Sequence, residues 1–298
     1  MNRLILTLVS ILLFIYLFFS MLSFHGDYCA QRELWGINHE FGLIALHQES
    51  TPDYMINQLA DRYQTFIKKY NGSIYAEQAE LMRGDLYSFR KDFTQARLEY
   101  QKVIGPDKEL SAHAEFGIAK TYELEGHWDK ALATYKVIIQ NYPVTSLGFS
   151  IPMYLTGHLV PSGDQKAYVD EAYGVALAFY QKIALQYPKS ELEYSALRMI
   201  AICQLYQNNW SATITTLGEI VLKHPGGKGL QEAVSGINIL CVTKSHNYDA
   251  AISIYEQFIQ KYPEHPAVGL LKKMIKDFKF LKSKNLIIQM VPSQRAAK

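Results

Sequence analysis

The sequence predicts an all-α protein, a solenoid of about six helix–turn–helix units behind an N-terminal transmembrane helix. Three observations predict it. A block opening on an aromatic residue recurs at Tyr63, Tyr100, Tyr135, Tyr180 and Tyr255, with Leu217 in the equivalent place, at spacings of 37, 35, 45, 37 and 38 residues. Four blocks close on a proline, at Pro143, Pro188, Pro225 and Pro263. Residues 4–24 carry no charge. A fixed period of this length marks stacked supersecondary units, not a domain wrapped around one core.

The N-terminal stretch comes first. Leu4 to Phe24 is 21 residues without a charge, after Arg3. At about 1.5 Å per residue such a helix spans a ~30 Å hydrocarbon core. A cleaved signal has a shorter apolar core, about 7–15 residues, and a small-residue cleavage site. Here the run is long and bulky (Phe14, Tyr16, Phe18, Phe19), so residues 1–26 read as an uncleaved membrane anchor, with a signal sequence as the alternative. Asp27 and Tyr28 are wrong neighbours for a lipid-acylated Cys29. One cation before the span places the N-terminus in the cytoplasm by the positive-inside rule. In a bacterium the repeats are then periplasmic, on a single-pass inner-membrane protein.

Composition narrows the partners. The chain has 298 residues, 49% hydrophobic and 19% charged, which is a folding composition. A net charge of +2 does not call for nucleic acid. The tail is different: residues 272–298 hold eight Lys and Arg against Asp277, a net +7, which leaves −5 for everything before it. The three cysteines make no disulfide framework; Cys203 and Cys241 lie in apolar runs and read as buried thiols.

Residues 112–143 show one unit in full. Phe116, Ala119, Tyr122 and Glu123 fall at helical spacing. Gly126 suits the left-handed conformation that ends a helix, and Asp129 suits the start of the next. Leu132, Tyr135, Ile138 and Ile139 form the second apolar face, and Pro143 stops it. The same reading places helices near 30–48 and 52–70, units at 74–104, 111–142, 190–224 and 229–262, and a basic capping helix near 266–284. Thr51-Pro52-Asp53 reads as an N-cap followed by proline at the first helical position.

These residues resemble the tetratricopeptide repeat. Ile118-Ala119, Tyr122, Ala131, Tyr135 and Pro143 match its pattern, as do Gly84, Tyr87, Ala96 and Tyr100 in the preceding unit. The resemblance covers roughly residues 30–265. The Tyr-Pro endings followed by extended linkers resemble the bacterial envelope branch, which includes the outer-membrane assembly lipoprotein BamD and the Tol-Pal-associated periplasmic repeat protein. Glu115 stands where the pattern has Trp, and the lipoprotein's acylation motif is missing. The resemblance implies a right-handed α-solenoid that holds a protein or peptide in a concave groove lined by first helices. Carried onto this chain, the groove positions are Gln78, Asp85, Phe89, His113, Phe116, Lys120, Glu123, Arg198 and Tyr206.

The 45-residue spacing locates an insertion near 144–167, rich in Pro, Gly and apolar residues. It reads either as a longer surface turn or as an exposed contact patch of Phe149, Ile151, Met153, Tyr154 and Leu155. No His-Glu-x-x-His, Cys-x-x-Cys or phosphate-loop pattern occurs, so no metal, cofactor or catalytic set is expected. Pro225-Gly-Gly-Lys-Gly229 reads as an inter-repeat turn. The expected function is a non-enzymatic scaffold for protein–protein contact in envelope assembly or trafficking. The alternatives are an accessory subunit or enzyme with a site around His158, Asp164 and Asp170, and a cytoplasm-facing adaptor. The basic tail is a solvated cap or a contact for anionic lipid.

Overall fold

In a computed structural model, residues 2–47, 51–159 and 166–290 are described, and every regular element among them is helical. The helices are α1 (Asn2–Leu46), α2 (Asp53–Lys69), α3 (Ile74–Phe89), α4 (Phe93–Val103), α5 (Lys108–Leu124), α6 (Trp128–Asn141), α7 (Ser146–Leu159), α8 (Lys166–Gln186), α9 (Glu191–Tyr206), α10 (Trp210–Lys223), α11 (Gly227–Leu240), α12 (Tyr248–Lys261) and α13 (Val268–Met290). A π-helical turn, Cys241–Ser245, extends α11. They form two compact units, residues 1–151 and 152–298.

Local chemistry sets the turns. Within a pair, one residue in the left-handed region is followed by the N-cap of the second helix: Lys91-Asp92, Gly126-His127, Asn208-Asn209 and His246-Asn247. Asp92, Asn209 and Asn247 accept from the backbone N–H three residues on, which satisfies an otherwise orphaned donor. Between pairs, Gly72-Ser73 and Lys189-Ser190 repeat the device. Gly126, at φ 78°, ends α5 as the sequence predicts, and Asp129 lies in the first turn of α6. The cap expected at Thr51 is corrected. Pro52 holds the N-cap position with no side-chain cap, and Thr51 donates to the His47 carbonyl instead.

Tertiary packing supplies the rest. Tyr63, Tyr100, Tyr135, Tyr180 and Tyr255, which open the recurring blocks, are the largest fully buried side chains. Four of their hydroxyls donate to a polar side chain of the preceding helix: Tyr63 to Asn38, Tyr100 to Asp85, Tyr135 to Glu123 and Tyr255 to Asn238, at 2.6–2.7 Å. Each tyrosine therefore buries its ring while keeping its O–H bonded.

Helix α1 runs without interruption from Asn2 to Leu46, across the boundary expected between anchor and first repeat helix. Its C-terminal part packs Ala30, Leu34, Ile37 and Ile44 against α2 and α3. Among the described residues no helix is long and apolar enough to cross a membrane. The side chains of residues 1–8 and 18–26, most of the expected span, lie outside the described set.

The expected insertion at 144–167 is corrected as well. Residues 146–159 are helix α7, the first helix of a pair with α8, not a loop. Thr145 starts it by accepting from Gly148 N–H, and Gly148 packs against the Tyr142 carbonyl so closely that a Cβ would overlap it. The exposed patch does not exist as drawn: Ile151 and Leu155 are buried, and Phe149, Met153 and Tyr154 are half-buried. The extra spacing comes from α8. It is 21 residues long and carries Tyr180 well inside it, whereas Tyr100 and Tyr135 sit about two turns into shorter helices. Asp164, one of the three residues of the enzymatic alternative, lies outside the described residues. Asp170 gives its backbone carbonyl to Gln207, and His158 Nδ1 contacts the Tyr154 carbonyl. Helix α13 continues beyond the expected end near 284, to Met290, and residues 291–298 lie outside the described set.

Candidate functional site

The first helices of the pairs were expected to supply the groove, and the structure sorts those positions. On α3, Asp85 is consumed internally as the acceptor for Tyr100, and Phe89 packs edge-on against Phe41; Gln78 is half-buried. Burial pushes the Asp85 carboxyl up, partly offset by the Tyr100 hydrogen bond. On α5, Phe116 packs on Tyr135, and Glu123 accepts from both Tyr135 and Lys120; His113 is exposed. Most of this set is therefore scaffolding. Arg198 and Tyr206, on α9, are different: both are exposed, and Arg198 lines an open cleft.

That cleft has a volume of about 300 Å³ and lies between α9 and α11, floored by α10. Ala201, Ile202, Leu217, Ala233 and Gly236 line its apolar interior. Leu205 and Ile239 stand exposed at its rim, and Tyr206, outside the lining, stacks on Tyr173 at 4.6 Å. At one end Arg198 lies over the Tyr194 ring and faces Glu232 across 3.6 Å. Gly229 and Gly236 bring α11 close: a Cβ at Gly229 would lie 2.6 Å from Tyr194, and one at Gly236 would lie 2.9 Å from Leu217.

The origin of the cleft is visible when the two units are aligned through their turns. Lys91-Asp92 and Asn208-Asn209 play the same parts 117 residues apart. At that offset Gly84, Asp85 and Tyr100 become Ala201, Ile202 and Leu217. In the first unit the Tyr100 ring fills the space against Gly84 and Gly117 and bonds to Asp85. In the second, leucine and isoleucine stand in those places, and part of the volume is left open.

A larger cavity, about 690 Å³, opens between α8 and α10 above α9. Its buried polar groups are satisfied from within. Glu193 accepts from Lys223 and from Lys189 N–H, and Gln204 accepts from Thr216. Burial would raise the Glu193 carboxyl, but these hydrogen bonds and the Lys223 charge hold it below its ordinary value. Such a closed network carries less binding potential than an apolar cleft with an exposed apolar rim.

Among the described residues no group of three His, Cys, Asp or Glu is placed to hold a metal. Cys203 and Cys241 are free and buried, and burial pushes the Cys203 thiol up to about 11, far from a reactive thiolate.

Paired helices and capped turns define a helical-repeat architecture, with an apolar cleft in its second unit. Residues 46–142 match the family model of the tetratricopeptide repeat-like domain, and residues 244–265 match that of the tetratricopeptide repeat. These matches support a tetratricopeptide repeat family, whose members are in general non-catalytic protein-binding scaffolds. No curated protein matches the chain. The cleft residues 194–240 lie between the two matched segments.

Of the groove positions expected from the sequence, Arg198 is the one that lines this cleft; Ile202, Leu217, Gly236 and Ile239 were not among them. The available signal was Leu217 at the head of a block that elsewhere begins with tyrosine.

Proposed function

We propose that the chain is a membrane-anchored scaffold of the bacterial envelope, with its repeats in the periplasm, and that the α9–α11 cleft seats an apolar anchor of a protein partner. The cleft carries this reading: an apolar floor, an exposed apolar rim and opposite charges at one end are the anatomy of an anchor site. The preformed helices keep the ordering cost of binding low. The uncharged stretch 4–24 supports the anchor, and Arg3 supports the orientation. Lys272, Lys273 and Lys276, exposed on α13, suit a second contact with an anionic membrane surface.

Leu217→Tyr restores the residue type that fills the first unit, and tests the cleft. A photo-crosslinker at position 239 should capture a defined partner from intact membranes, and the same probe combined with L217Y should lose it. Capture that is unchanged by L217Y would refute the cleft as the anchor site. Reporter fusions after residue 47 test orientation separately: periplasmic-active fusions support the reading, and cytoplasmic-active ones exclude it.

A further inference from the structure

The larger cavity, between α8 and α10, has a counterpart in the first unit that is filled. The 117-residue offset holds beyond the turns. Lys69 and Gln186 end α2 and α8, Ser73 and Ser190 cap α3 and α9, and the block tyrosines Tyr63 and Tyr180 coincide. In the first unit Arg83 of α3 bridges α2 and α4. Its guanidinium donates to Gln64 Oε1 and pairs with Glu99 at 2.6 Å, and the whole side chain is buried.

At that offset Arg83 becomes Ile200 and Glu99 becomes Thr216, while Gln64 remains a glutamine, Gln181. The cation is gone and its place is open. Gln181, Ile200 and Thr216 all line the cavity, whose volume of about 690 Å³ falls in the range of ligand sites. The acid has moved instead of vanishing. Glu219 stands where the first unit has Lys102, one turn beyond Thr216, and Glu193 stands where the first unit has Ala76. The lining sets these two carboxylates against one cation, Lys223, which bonds to Glu193 at 3.1 Å and to Glu219 at 2.9 Å. Glu193 is buried and also receives the Lys189 N–H, so the network closes around it. Glu219 is exposed. A carboxylate accepts up to about four hydrogen bonds, and among the described residues Glu219 receives one, from Lys223. Apolar walls complete the cavity: Ala184, Leu197 and Ile200 are buried, and Leu185 and Pro188 stand exposed at its mouth.

We propose that this cavity binds the arginine side chain of a protein partner, which fills in trans the place that Arg83 fills within the first unit. Gln181 and Glu219 receive the guanidinium, and Leu185, Pro188, Leu197 and Ile200 receive the aliphatic stem. Arginine has the matching anatomy: an apolar stem, and a planar cationic head that forks onto a carboxylate. The net negative lining selects a cation. Leu185, 83% exposed, carries apolar surface past the mouth, which a partner's backbone covers and a small free cation does not.

The test uses the full chain in detergent with methyl-labelled Ile and Leu, titrated with butylguanidinium, with its neutral counterpart butylurea, and with the blocked tripeptide acetyl-Gly-Arg-Gly-amide. Butylguanidinium and the tripeptide should move the Leu185, Leu197 and Ile200 methyl signals saturably, several-fold more tightly than butylurea does. Glu219→Gln, at an exposed position, should weaken both charged probes several-fold and leave butylurea unchanged. Ile200→Arg combined with Thr216→Glu rebuilds the pair of the first unit and should abolish binding of the charged probes. Should that variant not fold, the Glu219→Gln titration still decides. Butylurea that binds as tightly as butylguanidinium, or charged probes indifferent to Glu219→Gln, would overturn the proposal. A tripeptide that fails where butylguanidinium binds would overturn the protein partner in favour of a small free cation. None of the three reporting residues lines the α9–α11 cleft, so this titration and the crosslinking at position 239 fail separately.

Discussion

The α3–α4–α5 layer and the α9–α10–α11 layer use the same backbone plan for opposite ends. In the first, Arg83 and Glu99 form a buried ion pair at 2.6 Å, Lys102 adds a second bond to Glu99, and Tyr100 closes the space between Gly84 and Gly117. At the same offset the second layer has Ile200 and Thr216 for the ion pair, and Leu217 for the tyrosine. The first layer is filled and polar-locked, while the second is apolar and left partly open. A tight repeat can therefore gain a cleft by shrinking one buried ring and removing the polar groups that went with it. The turn within the pair, Lys91-Asp92 against Asn208-Asn209, is kept, while the second helix lengthens from 11 residues in α4 to 14 in α10.

The largest expected effect comes from breaking the lock. Arg83→Met leaves Glu99, whose side chain is fully buried, without its main partner. Stranding a buried charge costs about 3–5 kcal/mol, readable as a loss of unfolding free energy in urea. Next is the close contact. Gly117→Ala drives a Cβ to 2.5 Å from the Tyr100 ring, which is buried and hemmed in by Gly84 on its other side. Overpacking of this kind costs about 1–3 kcal/mol. Gly236→Ala meets only a terminal methyl of Leu217 beside an open cleft, and should change stability by less than about 1 kcal/mol. Equal effects at the two glycines would undermine the contrast between the layers.

A double-substitution cycle sharpens it further. Tyr100→Leu strands Asp85 in the interior and should cost about 2–4 kcal/mol. Adding Asp85→Ile, which copies the second layer, should recover part of that loss, a coupling of about 1 kcal/mol or more. Strict additivity would argue that the pair does not act as one unit.

The smallest effects are in the pH dependence. Burial would raise the Glu99 carboxyl, but hydrogen bonds from Arg83 and Lys102 together with the Arg83 charge hold it below the ordinary 4.5. Its contribution is present above about that pH and is lost as pH falls through the lowered folded value. Asp85 has the opposite sign. Its carboxyl is raised above 3.8 by burial, so its contribution is present at lower pH and declines as pH rises through the folded value. Thermal melts from pH 3 to 6 should show a smaller acid limb in Glu99→Gln, the remainder coming from Glu33, Glu125 and Glu193, which are also held low, while Asp85→Asn should gain stability relative to the parent as pH rises. The sites equivalent to Asp85 and Glu99 in the second layer hold Ile202 and Thr216, which do not titrate in this range.

The ends of the chain make a related contrast. Helix α13 buries Leu271, Ile275 and Phe278 and turns Lys272, Lys273 and Lys276 outward, as a terminal cap should. Helix α1 turns Trp35 and Tyr28 outward instead.

Much of this was written locally in the chain. The repeat period, the pairing of helices and the turns at Gly126-His127 and Asn208-Asn209 depend on contacts within a few residues, and a sequence displays such contacts directly. The identity of the buried tyrosines was legible for the same reason, since each recurs at a fixed place in its helix. What a side chain faces was not legible, because that depends on helices far away in sequence. Phe149 to Leu155 looked like a loop, since Pro152 and the glycines suggest breaks, yet packing of Ile151 and Leu155 holds them in α7. Asp85 and Glu123 looked like groove residues until Tyr100 and Tyr135 were seen to claim them. Leu217 marked a departure from the repeat in the sequence alone. Only the tertiary structure, by placing Ala201, Ile202 and Gly236 around it, decided that the departure leaves an opening and is not closed by its neighbours.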